Sequence, residues 1–122
     1  MNKAAILALG AALGLAAPGL ALADCQRPTA PAAVDGKTAT MDQIKAGKDA
    51  VVAFMNDSDA YQTCIIDAFK AKKAAADASK TKLDPALAKA ADAEVNANQD
   101  EKQRVGTDFN AAVKAYRAAH PS

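Results

Sequence analysis

Tryptophan is absent from this 122-residue chain, histidine occurs once, cysteine twice, and aromatic residues make up only 4%. So few aromatics leave little with which to build a deep mixed core. The single histidine, His120, stands beside Pro121 near the end. A zinc or copper site would need further nitrogen or sulfur ligands, and a catalytic triad needs partners that cannot be assembled around it. Its position suits hydrogen bonding to the last carbonyls of a helix. There is no glycine-rich phosphate loop and no calcium-loop spacing of carboxylates. Asp57 and Asp59 flank Ser58, but residues two apart on a helix point in different directions, so they read as a solvated face or a salt-bridge set, not an acid/base pair. Charge of one sign is lacking too. The chain has 15 basic and 14 acidic residues, so global charge predicts no nucleic-acid partner. These absences predict a non-catalytic protein without cofactor or metal.

Residues 1–23 read as a secretory signal peptide. Lys3 supplies the positive start, residues 4–17 are apolar, Pro18-Gly19 breaks the run, and Ala21-Leu22-Ala23 is a small-x-small cleavage site. The run is shorter than the roughly 20 residues of a spanning helix and contains Gly10 and Gly14, so it is not read as an anchor. Asp24 precedes Cys25 where a lipoprotein leader would place a small residue, so Cys25 is read as a disulfide partner and not a lipid carrier. Loss of the leader removes only Lys3 and leaves 14 basic against 14 acidic residues over the remaining 99. No later segment is apolar for long enough to cross a bilayer. A periplasmic or secreted location follows, and with it an oxidising compartment.

Residues 24–39 read as an extended arm, with Pro28 and Pro31 favouring polyproline geometry and Asp35-Gly36 a turn. Thr40 with Gln43 forms a capping box, and Asp42 adds a carboxylate in the first turn. Met41, Ile44, Val51, Phe54, Met55, Tyr61, Ile65, Ala68 and Phe69 then recur at helical spacings. A first helix is predicted over about 40–78, with Gly47 and the polar run 56–59 as its weak points and a break in that run as the alternative. Residues 79–84 form the turn, and Asp84-Pro85 opens a second helix over about 85–119. That helix carries Leu87, Ala91, Val105, Phe109, Ala112, Val113 and Tyr116 around an almost wholly polar middle, 96–104.

Folding the helices back to back puts Leu87 near Phe69, Val105 near Met55, Phe109 near Val51 and Tyr116 near Ile44. The polar middles meet, with Asp57 and Asp59 close to Lys102 and Arg104. Cys64 lies about 36 Å into the first helix, and the 15 residues from Cys25 to its start stretch to roughly 50 Å, so the arm can run back and reach it. A Cys25–Cys64 disulfide would clamp the arm along the first helix as a third strip. The spacing of 39 is unlike that of redox thiol pairs.

Lys70, Lys72, Lys73, Lys80, Lys82 and Lys89 surround the turn against Asp77 and Asp84. Solvated lysines on a helix are the plain reading. Weak contact with an anionic lipid surface or an acidic envelope partner is the functional one.

Cys25, Pro28, Pro31, Asp35-Gly36 before Ala39-Thr40, Tyr61-x-x-Cys64 and Phe109-Asn110 together make a pattern that covers most of the mature chain. It resembles that of a set of small exported, signal-peptide-bearing two-cysteine helical proteins of Gram-negative proteobacteria. The alanine- and lysine-rich region 71–82 departs from that pattern. The resemblance implies structure and no activity. The expected fold is all-α, an antiparallel two-helix hairpin with an N-terminal proline-containing arm disulfide-bonded to helix 1. The expected function is a helical interaction or structural module of the envelope that self-associates into a bundle or docks on an envelope protein, since two alanine-rich helices bury only a narrow seam. The alternative is a holdase-like or apolar-ligand-binding protein.

Overall fold

The computed structural model describes residues 25–122, so the signal-peptide reading of residues 1–23 lies outside the described residues. Two helices, α1 (Met41–Ala78) and α2 (Pro85–Ala119), fold back on each other as an all-α antiparallel hairpin. Each boundary has a local cause. At the start of α1 the Thr40 hydroxyl accepts from the Gln43 N–H at 3.2 Å, and the Gln43 side chain accepts from the Thr40 N–H at 2.9 Å. This closes the capping box and satisfies two otherwise orphaned donors. The α2 start is capped by Asp84, whose carboxylate accepts from the Ala86 N–H at 2.9 Å, with Pro85 next to it.

Ser79 caps the end of α1. Lys80 follows with φ of 53°, the Thr81 N–H reaches the Ala76 carbonyl at 2.9 Å and the Lys80 N–H reaches that of Asp77 at 3.2 Å. This is a Schellman motif with lysine in the left-handed position that glycine usually fills. At the end of α2 the His120 N–H and ring Nδ1 both lie 3.0 Å from the Tyr116 carbonyl. The imidazole also stacks on the Tyr116 ring at 4.2 Å.

The seam follows a heptad. The buried residues of α2, Ala91, Asn98, Val105 and Ala112, stand seven apart. Ala88, Val95, Lys102, Phe109 and Tyr116 interleave with them and are half-buried. On α1 the matching rows are Ile44, Val51, Ser58 and Ile65, and Gly47, Phe54, Tyr61 and Ala68, every one buried or half-buried. This alternation of three and four is antiparallel coiled-coil packing. The contacts agree with the expected register. Met55 lies beside Gly106, the neighbour of Val105, and Phe109 lies beside Gly47 in a cavity wall shared with Val51.

α1 is continuous through 56–59, as predicted, because Ser58 is fully buried at the seam and its hydroxyl is hydrogen-bonded from across it. One expectation is corrected: Gly47 is not a weak point. A Cβ there would stand 2.7 Å from Val34 Cγ2 and 3.2 Å from the Phe109 ring. The missing side chain is what lets the arm and α2 close on α1.

The arm, residues 25–39, runs back along the hairpin as the third strip. At one end the Cys25–Cys64 disulfide joins it to α1, with Cα atoms 5.7 Å apart. At the other, the Thr38 and Ala39 N–H groups turn back onto the Asp35 carbonyl, and the Asp35 carboxylate accepts from the Lys37 N–H at 3.0 Å. Gly36 is buried against α2. A Cβ on it would stand 1.9 Å from the Ala112 carbonyl oxygen, so only glycine allows this approach.

Candidate functional site

The centre of the seam is polar. Ser58 and Asn98 are the two fully buried polar residues among those described. The Asn98 Nδ2 donates to Ser58 Oγ at 3.1 Å, and Gln62 Nε2 donates to Asn98 Oδ1 at 2.8 Å and to Gln99 Oε1 at 3.2 Å. No buried side-chain nitrogen or oxygen among the described residues lacks a partner. A satisfied buried polar layer of this kind favours one register over its neighbours, since a slip would strand each of these groups.

Beside the layer, the Tyr61 hydroxyl donates to Glu94 Oε2 at 2.6 Å. Burial of the ring, followed by this bond to a carboxylate, pushes the Tyr61 phenol up to about 12. Tyr61, Ile65 and Ala91 form a small apolar cluster, and Cys25, Phe69 and Val95 pack on it. The disulfide therefore delivers the arm onto the best-packed part of the hairpin.

The expected ion pairs are met in part. Lys102 pairs with Asp59 across the seam. Arg104 instead turns to Glu101 at 3.9 Å and Asp108 at 3.7 Å on its own helix, and Asp57 lines the groove under the arm beside Cys25. Sequence reasoning missed a second tie of the arm, Arg27 to Glu101 at 2.9 Å. Being partly exposed, it contributes under about 1 kcal/mol and chiefly orients the arm toward α2. It also missed the Ser58–Asn98 layer, although the sevenfold spacing of Val51, Ser58 and Ile65 was there to show it.

Between arm and hairpin lies a cavity of about 80 Å³ walled by Pro31, Val34, Val51, Val105 and Phe109, with Arg104 and Asp108 at its edge. That is well below the roughly 300 Å³ at which ordinary ligand pockets begin. Two larger depressions, of about 470 and 350 Å³, are open grooves flanking the arm and not enclosed pockets. Among the described residues no group of three histidine, cysteine or carboxylate side chains could hold a metal ion.

Two surfaces remain. Along α1, Met41, Val52, Met55, Ile66 and Phe69 fall within about 100° of arc and span about 42 Å. Met41, Val52 and Ile66 are exposed by 49%, 49% and 42%. The arm touches α1 at Asp57, Ala60 and Cys64, on the opposite flank of the seam. The hairpin thus has one flank covered by the arm and one on which Met41, Val52 and Ile66 are exposed, with Met55 and Phe69 half-buried beside them at the edge of the seam.

The second surface is the turn end. Lys70, Lys72, Lys73, Lys80, Lys82 and Lys89 are all exposed, and none pairs with a described carboxylate. The structure brings all six to one end of the rod. No helix among the described residues is long and apolar enough to cross a membrane. No family model, curated protein or solved structure matches the chain.

Proposed function

We propose that the chain is a non-catalytic, exported helical interaction module of the cell envelope, and that it self-associates through the flank of α1 that the arm leaves open. The observation that carries this reading is the exposed apolar stripe opposite the arm. The leader-like residues 1–23 and a disulfide that ties the arm to the hairpin support export into an oxidising compartment.

The occupant of the stripe is a second copy because the stripe is self-complementary. Val52-x-x-Met55 recurs, after 14 residues, as Ile66-x-x-Phe69. An antiparallel two-fold pairing of α1 with its copy sets Val52 against Phe69 of the second copy and Met55 against Ile66, and the same contacts repeat on the other side of the axis. Asp59 and Gln62 meet near the axis. The α2 residues on this flank are mostly uncharged opposite the stripe (Asn96, Gln99, Gln103 and Gly106), with Asp92 and Arg117 toward its ends. The product is a four-helix bundle with an arm on each outer face.

Sedimentation equilibrium over a range of concentrations tests the proposal. The wild-type chain should form a dimer, and Val52→Asp with Ile66→Asp should return a monomer with unchanged helical circular dichroism. A wild-type monomer at every concentration overturns the proposal. A monomer that suppresses aggregation of an unrelated unfolded protein would replace it with the holdase reading.

A further inference from the structure

We propose that the turn end of the hairpin is a peripheral docking surface for anionic phospholipid bilayers. Residues 70–89 carry six lysines and two acidic residues, while the other described residues carry eight basic and eleven acidic side chains. A chain near neutrality overall therefore concentrates its positive charge at one tip. The α1 C-terminus and the α2 N-terminus lie together at this tip, so their dipoles oppose each other and the lysines set the local field.

The chemistry of the tip selects among anionic partners. All six cations are lysine, whereas Arg27, Arg104 and Arg117 lie elsewhere. Lysine is a hydrated point charge on a flexible stem, suited to diffuse attraction and not to the two-pronged grip on a single phosphate that arginine provides. The cavities described above lie away from the tip, and all six lysines stand exposed there. No aromatic side chain interleaves the lysines, which removes the stacking platform of single-stranded nucleic-acid sites. What remains is a convex basic end facing a plane of many negative charges, the geometry in which a set of lysines attracts additively near a surface. Half of the residues between the lysines are alanine, and the two leucines, Leu83 and Leu87, are half-buried, so the contact is electrostatic, without insertion. Lys80 holds its left-handed conformation at the apex of this surface.

The experiment is co-sedimentation of the oxidised protein with vesicles. It should bind phosphatidylcholine vesicles doped with phosphatidylglycerol and ignore pure phosphatidylcholine, and about 1 M salt should release it, because the Debye length then falls to about 3 Å. Replacing Lys72, Lys73, Lys80 and Lys82 by Gln should lower partitioning about a hundredfold or more. The same change at Lys37, Lys45, Lys48 and Lys114 should leave most of the binding in place. Circular dichroism confirms that both variants stay helical. Millimolar inorganic phosphate should not compete, since one small anion cannot replace a charged plane. Any of four results overturns the proposal: no binding to the anionic vesicles at low salt, equal binding to neutral ones, equal loss in the two variants, or full competition by phosphate. The Val52→Asp, Ile66→Asp protein should still bind, so this test stands or falls apart from self-association.

Discussion

Tyr61 shows how much one side chain can report. Its phenol is held up to about 12 against an ordinary value near 10. The folded state therefore keeps a proton that the unfolded chain loses, so its contribution is fully present below pH 10 and disappears as pH rises toward 12. Denaturant melts at successive alkaline pH values should show this decline, and Tyr61→Phe should lack it. Two backbone positions give opposite outcomes. Lys80→Gly relieves a left-handed non-glycine residue and should raise stability by about 0.5–1 kcal/mol, visible as a higher thermal midpoint, while weakening any lipid contact at the tip. Gly36→Ala should destabilise, because its new methyl would strike the Ala112 backbone oxygen and push the arm off α2. Protease sensitivity confined to residues 25–39 would reveal it.

At the scale of elements, the arm is held by a covalent bond at one end and by fit at the other. Closing a loop of 39 residues of separation stabilises by about 4 kcal/mol on chain-entropy grounds. Reduced protein, or Cys25→Ser with Cys64→Ser, should lose up to that amount in denaturant titration and release the arm while the helices persist. The central layer behaves differently. Asn98→Ala strands the buried Ser58 hydroxyl, while Gln62 keeps Gln99, and should cost about 1–3 kcal/mol. Replacing Ser58 by Ala and Asn98 by Leu together should cost less, because no buried polar group is left unpaired. The double variant should instead show a second register, detectable as doubled amide resonances.

At the scale of the whole molecule, the eight buried apolar residues among those described include three alanines, so the core is thin and the disulfide supplements it. The proposed self-association should make the thermal midpoint rise with protein concentration. The proposed pairing also brings Lys48 opposite Lys73 of the second copy, so added salt should tighten the dimer while loosening the bilayer contact. Opposite salt responses in sedimentation and in vesicle binding would separate the two surfaces on one protein.

Much of this architecture was legible beforehand because its signals are local or arithmetic. Thr40 with Gln43, Asp84 with Pro85, and Asp35 with Gly36 each act within a few residues, and three-four spacing states a helical stripe without reference to a partner. The span from Cys25 to Cys64 likewise follows from chain length and helix rise alone. The destiny of polar and small residues was not legible, because it depends on what faces them. Ser58 and Asn98 belong to polar middles expected to meet, but which members of those middles are buried is decided only where the seam shuts the two away from solvent. Gly47 reads as a helix breaker until Val34 and Phe109 fill the space it leaves. Arg104 turns from Asp57 to its own helix because Glu101 and Asp108 lie one turn away on either side. The same spacing rules make α1 apolar on more than one side, and only the course of the arm decides which flank is covered and which is left open.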